Sequence, residues 1–228
     1  MTDRSVGTVV HTTLSAGDSA ALLPLQEALG YDLAQSLFAQ KRNLVLEGLT
    51  DYWYLDATQQ LMREAGLAEL NERIALIPAH GAGKVVYFAT ILHANSLKVC
   101  ALLDSDAAGN SAAAQDTLVH TLGNKGILRT KDYYLGSASA VEIEDLLRET
   151  LIQVAKDGPC WDVRAAASKQ SGRPIVAVFE DEVGSSFSKY KLAKAYLRWC
   201  RDHEATDLSD DERQAWTDLI EAINKGLR

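Results

Sequence analysis

The feature that most restricts the fold is a regular alternation of short, almost wholly apolar segments with longer segments of helical periodicity. The predicted strands are NLVLEG (43–48), the start of IALIPAHGAG (74–83), KVCALLDSD (98–106) and GILRTKDYYL (126–135). Each is followed by a predicted helix. Strands that are apolar on both sides need helices on both faces of their sheet, as parallel sheets have. The alternation therefore predicts an α/β fold with a parallel sheet of about four strands.

The chain divides into three predicted parts. Residues 1–40 are interpreted as a lead-in with one strand and one helix, residues 41–145 as the α/β core, and residues 146–228 as an additional, mostly helical subdomain. The clearest helices of that last part are SKYKLAKAYLRWCRDH (188–203) and SDDERQAWTDLIEAINKGL (209–227). In the core, helices are predicted at 50–66, 84–95 and 110–123, and another begins in the acidic segment 141–157.

Capping residues predict where two of these helices end. Thr50 could cap the helix that follows the first strand, and Gly66 could terminate it. Ser209 or Asp210 could cap the last helix, whose first turn is acidic, as the helix dipole favours.

Composition excludes several classes of protein. No apolar run approaches the roughly 18 residues that span a bilayer, and the amino terminus lacks an apolar segment of signal-peptide type. Cys100, Cys160 and Cys200 are far apart and odd in number, which argues against a disulfide framework or a structural zinc site. The five histidines also lack metal-binding spacing. We expect a soluble, cytoplasmic protein with no membrane partner.

The net charge of −8 argues at first against a nucleic-acid ligand, because phosphate contacts require Lys and Arg. However, acids that hold divalent cations raise the negative count without repelling a polyanion once the metals are bound. The overall charge therefore does not decide whether DNA is a partner.

Acidic side chains follow three of the predicted strands. They are Glu47 and Asp51 after the first, Asp104 and Asp106 after the third, and Glu142 and Glu144 after the fourth, with Asp145 beside them. Ligand sites of open parallel sheets gather beyond the carboxyl ends of the strands, and residues two apart on an extended segment point the same way. Converging carboxylates suit Mg²⁺ or Mn²⁺ better than zinc. The pattern predicts a divalent-metal site; the alternative is a set of solvated helix caps.

The glycine loop HGAGK (80–84) resembles a phosphate-binding P-loop only superficially. Pro78 stands where the P-loop needs its first glycine, and Val85 stands where a Ser or Thr must reach magnesium. We interpret this segment as a glycine turn after the second strand, which would face the predicted metal site.

Four segments resemble motifs of one known domain. LVLEGLTDYWYL (44–55) resembles the first Toprim motif, an acid after a hydrophobic strand with TD close behind, and ALLDSDAAG (101–109) resembles the DxD motif. The sequence is most similar to the OLD (overcoming lysogenization defect) nucleases. VEIEDLL (141–147) resembles their third acidic motif, and SFSKYKLAKAYL (186–197) resembles their late lysine motif. The resemblance covers roughly residues 22–200 and implies a Toprim fold, which is a Rossmann-like parallel sheet flanked by helices.

This resemblance implies a DNA endonuclease that nicks or cleaves phosphodiester bonds by a two-metal mechanism. Two divalent cations, Mg²⁺ or Mn²⁺, would be the cofactors, and Ca²⁺ could replace them without supporting catalysis. The implied metal ligands, direct or through water, are Glu47, Asp51, Asp104, Asp106, Glu142 and Glu144. Glu144 is preferred over Glu142 as the catalytic acid, and Asp145 is interpreted as a helix-terminal charge. Gly48 would let the backbone pass close to the metals, and Ser105 could add an oxygen ligand.

A lysine close to the metals would stabilise the charge that develops in the transition state. We favour Lys189 over Lys191 because Lys189 lies at a loop-to-helix junction, but the choice is close. Four cations recur at helical spacing and form what we call the basic stripe: Lys191, Lys194, Arg198 and Arg201. The stripe suits contacts with a DNA backbone and equally suits a solvated helix face, with Leu192, Tyr196 and Trp199 facing the core.

The resemblance also implies a partner and two rival functions. OLD proteins carry an amino-terminal ATPase of the ABC type, whereas these 228 residues contain no Walker A sequence. The chain is therefore expected to be the catalytic carboxyl-terminal half of such a protein, or to work with a separate ATPase chain. The rivals are another Toprim activity, of topoisomerase or primase type, and a non-catalytic DNA-binding Toprim module.

Overall fold

A four-stranded parallel sheet forms the centre of the molecule. The computed structural model describes residues 39–228, so the strand and helix predicted for the lead-in lie outside the described residues. The strands are β1 (Arg42–Leu46), β2 (Ile74–Pro78), β3 (Lys98–Leu103) and β4 (Ile127–Arg129), in the order β2-β1-β3-β4. All three pairings are parallel. The predicted α/β class and the number of strands are confirmed.

Nine α-helices surround this sheet within the described part of the chain. They are α1 (Leu49–Glu64), α2 (Ala82–Ala94), α3 (Ala107–Ala113), α4 (Asp116–Leu122), α5 (Arg148–Asp157), α6 (Arg164–Lys169), α7 (Ile175–Val183), α8 (Lys189–Trp199) and α9 (Asp210–Gly226). None of these helices has the length and apolar character needed to cross a membrane.

The two faces of the sheet carry separate hydrophobic cores, because alternate residues of a strand point to opposite sides. On one face, Leu44, Leu46 and Leu102 join side chains of α1, α5, α7, α8 and α9. On the other face, Val45 and Ala101 pack against α2, α3 and α4. Burial on both faces explains why the strands read as continuous apolar runs in the sequence.

The fourth strand is shorter than predicted. It ends at Arg129, and the chain then forms a 3₁₀ turn at Thr130–Asp132. The Thr130 hydroxyl is buried and donates a hydrogen bond to the carbonyl of Val141 at 2.6 Å. This bond ties the turn to the segment that carries the third acidic motif.

Two predicted helices are interrupted. Gln115 takes an extended backbone conformation (φ −69°, ψ 125°), which separates α3 from α4 within the single helix predicted for 110–123. The helix predicted from the segment 141–157 begins as a 3₁₀ helix at Ile143–Leu147 and becomes α5 only at Arg148.

The start of α1 differs from the prediction in a way that bears on the site. Thr50 is not the cap, because Gly48 occupies the N-cap position and Thr50 lies inside the first turn. The Asp51 carboxylate accepts a hydrogen bond from the Gly48 N–H at 2.9 Å. An acid three residues after the cap makes this reciprocal bond in capping boxes. Gly66 follows the helix with φ +68°, as expected of a glycine that terminates a helix.

The carboxyl-terminal helices complete the core on the α1 side. Helices α8 and α9 both pack against α1, and the buried hydroxyls of Thr58 and Tyr196 are hydrogen-bonded at 2.7 Å. Trp216 is fully buried. Ser209 caps α9 as predicted, since its Oγ accepts a hydrogen bond from the Glu212 N–H at 3.3 Å. This packing brings the first residue of α8 to the carboxyl edge of the sheet.

Candidate active site

The acids of the first and third strands meet at the carboxyl edge of the sheet. Strands β1 and β3 are direct neighbours, so the residues that follow them emerge side by side. The Glu47 Oε1 atom accepts a hydrogen bond from the backbone N–H of Asp104 at 2.8 Å. The parallel pairing of the two strands is therefore what joins the first two acidic motifs.

Asp51 approaches this edge from the first turn of α1. It is only 8% exposed, and its second oxygen accepts a bond from the Thr50 hydroxyl at 3.3 Å. The carboxylate serves the helix as well as the site, because it also accepts from the Gly48 N–H.

Asp104 and Asp106 do not share their partners. Strand β3 ends at Leu103, and the chain bends directly after Asp104, so the two acids do not lie on one extended segment as the sequence reasoning assumed. Asp104 Oδ1 accepts from the Ile143 N–H at 3.0 Å. Asp106 instead caps α3 and accepts from the Gly109 N–H at 2.7 Å. Asp104 thereby links the DxD segment to the third acidic motif.

The third acidic motif meets Lys189. The Lys189 ammonium donates a hydrogen bond to Glu142 and lies 3.6 Å from Glu144 Oε1. Glu144 is 1% exposed, and within residues 39–228 neither of its oxygens has a hydrogen-bond partner. We name Glu47, Asp51, Asp104 and Glu144 the acidic centre.

Asp145 has a different role from its neighbour Glu144. Its carboxylate accepts bonds from the backbone N–H groups of Glu142 at 3.0 Å and Ile175 at 2.8 Å, and from the Arg148 guanidinium at 3.2 Å. The first bond caps the 3₁₀ helix, and the other two hold it against α7 and α5. The position agrees with a helix-terminal charge.

Burial and mutual repulsion raise the pKa values of the acidic centre. Burial raises the pKa of Glu47 to about 7 and that of Glu144 to about 7, and it also raises the pKa of Asp51. Burial and then the charges of Asp51, Glu144 and Glu47 raise the pKa of Asp104 well above its ordinary value. For Lys189, burial favours the neutral form, but the neighbouring glutamates outweigh it and raise the pKa, so the ammonium keeps its charge.

This arrangement fits a cation electrostatically. Buried carboxylates that repel one another, and two glutamate oxygens without a hydrogen-bond donor, are the surroundings in which a positive charge is stabilised. The site is not a preformed metal-binding site. Among residues 39–228, no three Asp, Glu, His or Cys side chains are arranged to hold a metal ion. Asp51 accepts a bond from the N-cap Gly48 of α1, Asp106 caps α3, and Glu142 pairs with Lys189. Metal ligation would therefore exchange existing bonds for metal–oxygen bonds.

The structure distinguishes the two candidate lysines. Lys189 is the first residue of α8 and lies against the acids, whereas Lys191 is exposed to solvent. All four residues of the basic stripe are exposed, and Arg201 lies just beyond the end of α8. Leu192 and Tyr196 are buried.

The loop after β2 supports the backbone beside the acidic centre. The Gly81 N–H donates to the Glu47 carbonyl at 2.6 Å, and Gly81 takes a positive φ of 128° that favours glycine. The segment 80–84 thus fixes the residue that follows β1. Gly48 has an extended backbone (φ −135°), which any residue adopts.

Arg129 is a site residue that the sequence reasoning missed. Its guanidinium donates to the carbonyls of Asp104 at 2.5 Å and Gly109 at 2.7 Å, and to Asn110 Oδ1 at 2.6 Å. One arginine thereby fastens the DxD segment to the start of α3. Its signal in the sequence is weak, because a single Arg at the end of a predicted strand usually means a solvated edge.

Gly109, the last residue of DSDAAG, was also missed. A Cβ atom there would lie 1.9 Å from the Asp104 carbonyl oxygen and 2.8 Å from Glu47 Oε1. Both distances are far below van der Waals contact. The sequence therefore needs glycine where α3 passes over the acidic edge.

We expect Gly109→Ala to destabilise the protein by about 1–3 kcal/mol, the usual range for overpacking, and to displace the DxD segment from Glu47. The matched control is Gly83→Ala on α2, where a Cβ would meet nothing within 4 Å. That change should leave the protein as stable or up to about 1 kcal/mol more stable. Urea unfolding of the three proteins measures the difference; equal stabilities would contradict the close packing at Gly109.

The parallel sheet of order β2-β1-β3-β4, with acids beyond β1 and β3, is consistent with a Toprim α/β fold. A family model described as "Overcoming lysogenization defect protein-like, TOPRIM domain" matches residues 37–106. The chain therefore contains an OLD-like Toprim region, and the predicted resemblance is confirmed there. No match was found among curated proteins or among solved structures.

The matched region contains the first two acidic motifs and ends at Asp106. Glu142, Glu144 and Lys189 lie beyond it, and their connection to the site rests on the contacts described above. Toprim domains generally bind divalent metals and act on nucleic acids. The matched region supports a Toprim-type function.

Proposed function

We propose that this protein is a metal-dependent endodeoxyribonuclease that nicks or cleaves DNA by a two-metal mechanism. The observation that carries the proposal is the meeting of Glu47, Asp104 and Glu144 from three separate segments, with Lys189 charged beside them. Burying carboxylates is energetically unfavourable and raises their pKa values. A domain that only binds DNA does not require such buried acids.

The ligands of two Mg²⁺ or Mn²⁺ ions would come from the four residues of the acidic centre together with Asp106 and Glu142. When bound, such ions activate water and stabilise the leaving oxygen of a phosphodiester. The protein itself contributes by orienting these acids: Arg129 and Gly109 hold the DxD segment, and the Gly48 N–H holds Asp51.

The role of Lys189 is to carry positive charge where a phosphate would develop negative charge. It already lies within 3.6 Å of Glu144, and its raised pKa keeps it protonated at neutral pH. A fixed cation near the reacting phosphate stabilises the transition state without reorganisation. The basic stripe on the same helix would hold the DNA backbone through phosphate contacts.

The ATPase partner follows from the same proposal. An OLD-like Toprim region would work beside an ABC-type ATPase, either as a preceding domain of a longer protein or as a separate chain. ATP bound to that ATPase would then regulate cleavage at the acidic centre.

Supercoiled plasmid incubated with the protein and Mg²⁺ or Mn²⁺ tests this function. We expect nicked and then linear DNA, and no product when EDTA replaces the metal. Relaxed, covalently closed circles would indicate a topoisomerase instead. Binding without any change in the plasmid, in either metal, would indicate a non-catalytic module.

A further inference from the structure

Tyr190 is an exposed aromatic residue next in sequence to Lys189, which faces the acidic centre. It follows Lys189 in the first turn of α8 and is 52% exposed. The other large apolar or aromatic side chains with comparable exposure in residues 39–228 are Leu67, Tyr87 and Leu135, and none of them adjoins a residue of the site in the sequence.

Trp53 supports the Tyr190 ring. Trp53 of α1 contacts it edge to face, with ring centroids 5.9 Å apart and an interplanar angle of 77°. The Lys194 ammonium lies 6.0 Å from the centroid of the same Trp53 ring. Trp53 itself is partly buried and packs against the main core. Because its support is fixed, Tyr190 would lose little conformational freedom when a ligand stacks on it.

Two lysines follow this ring on the same helix. Lys191 and Lys194 are exposed on the same helix, and Tyr190 and Lys194 are four residues apart, so they lie one above the other on the same helix face. An aromatic ring with neighbouring lysines offers stacking to a base and charge to its phosphates, the combination that binds single strands.

We infer that Tyr190 stacks on an unpaired nucleobase of a DNA strand whose backbone enters the acidic centre. Within a duplex the faces of the bases are covered by their neighbours, so only an unpaired base presents a free face to the ring. The substrate class is then DNA with a single-stranded segment at the cleavage position. This inference rests on the proposed function and specifies its substrate.

Filter binding in Ca²⁺, which should occupy the acidic centre without supporting cleavage, measures the affinity of the full chain for a single-stranded oligonucleotide and for a relaxed closed-circular duplex. We expect Tyr190→Ala to weaken single-strand binding about 5- to 150-fold, the effect of losing one stacked base, and to leave duplex binding unchanged. Tyr190→Trp should retain single-strand affinity. Tyr87→Ala on α2, at an equally exposed tyrosine (55%), should change neither affinity.

Lys194→Gln separates stacking from charge, since it should weaken binding of both DNA forms and reduce the salt dependence of each. The inference is overturned if Tyr190→Ala affects both forms equally, or neither, or if the unmodified protein shows no preference for the single strand. Because binding is measured without cleavage, the stacking result stands or falls separately from nicking. A protein that stacks but never nicks contradicts the proposed function alone.

Discussion

Replacing Asp104 by asparagine is expected to abolish metal-dependent nicking, with a loss of at least about 100-fold, which exceeds the usual effect of residues that only orient ligands. Asp104 is the acid whose charge interacts with Glu47, Asp51 and Glu144 together. Asparagine has the same shape and can still accept the Ile143 N–H bond. The change therefore removes the charge and leaves the hydrogen bond.

The matched control is Asp116→Asn, at an exposed acid in the first turn of α4, which should nick plasmid at the unmodified rate. Calorimetric titration with Mn²⁺ should show weaker binding for the Asp104 variant and unchanged binding for the control. Full nicking by both Asp104→Asn and Glu47→Gln, with circular dichroism showing native folds, would rule out these acids as metal ligands.

The second large effect is a dependence of stability on pH in the absence of metal. The pKa of Glu144 is about 7 in the folded protein against 4.5 as its ordinary value, so the folded state binds the proton more tightly than the unfolded state. Stability from this group is fully present below pH 4.5 and is lost as pH rises to about 7. For Glu144 the loss amounts to about 3 kcal/mol.

Glu144→Gln removes this titration while keeping the shape of the side chain. In EDTA, its free energy of unfolding relative to the unmodified protein should rise by up to about 3 kcal/mol between pH 5 and pH 7.5. Glu149→Gln, at the exposed glutamate of α5, should shift stability by no more than about 0.5 kcal/mol at either pH. If the difference in free energy of unfolding between Glu144→Gln and the unmodified protein does not change with pH, Glu144 ionises as freely in the folded protein as in the unfolded chain.

Metal should oppose this loss of stability. At a Mg²⁺ concentration of 100 times its dissociation constant, the unmodified protein should gain about 2.7 kcal/mol. Glu144→Gln should gain less at the same concentration, because one of the proposed ligands has lost its charge. The same urea titrations, repeated with Mg²⁺ at pH 7.5, provide this comparison.

The sheet and the position of the strand-end acids could be predicted from the sequence because both follow from periodicity. A strand covered on two faces must be continuously apolar, and parallel strands all end at one edge. Glu47 and Asp104 meet for that reason alone, since β1 and β3 are neighbours. The family resemblance then supplied the order of the motifs.

The rest of the site depends on tertiary contacts that leave little trace in the sequence. The roles of Arg129 and Gly109 arise only when α3 folds back over Asp104. After β3 the chain bends, and Asp106 becomes the N-cap of α3. The residues DSD are compatible with either a bend or an extended segment, so the sequence does not predict which of the two forms. The sequence favours Thr50 as the cap of α1 because Thr is a common N-cap residue, whereas in the structure Gly48 is the cap and Asp51, three residues later, accepts its N–H.

The long separation of Lys189 from the other site residues has a consequence for recognising proteins of this kind. The segment that identifies the Toprim region ends at Asp106, whereas the cation that faces the acids arrives on α8. A relative could retain the recognisable segment and lose Glu144 or Lys189. On the proposed mechanism it would keep the Toprim sheet but lose catalysis, so the presence of the Toprim region and the activity have to be judged from different parts of the chain.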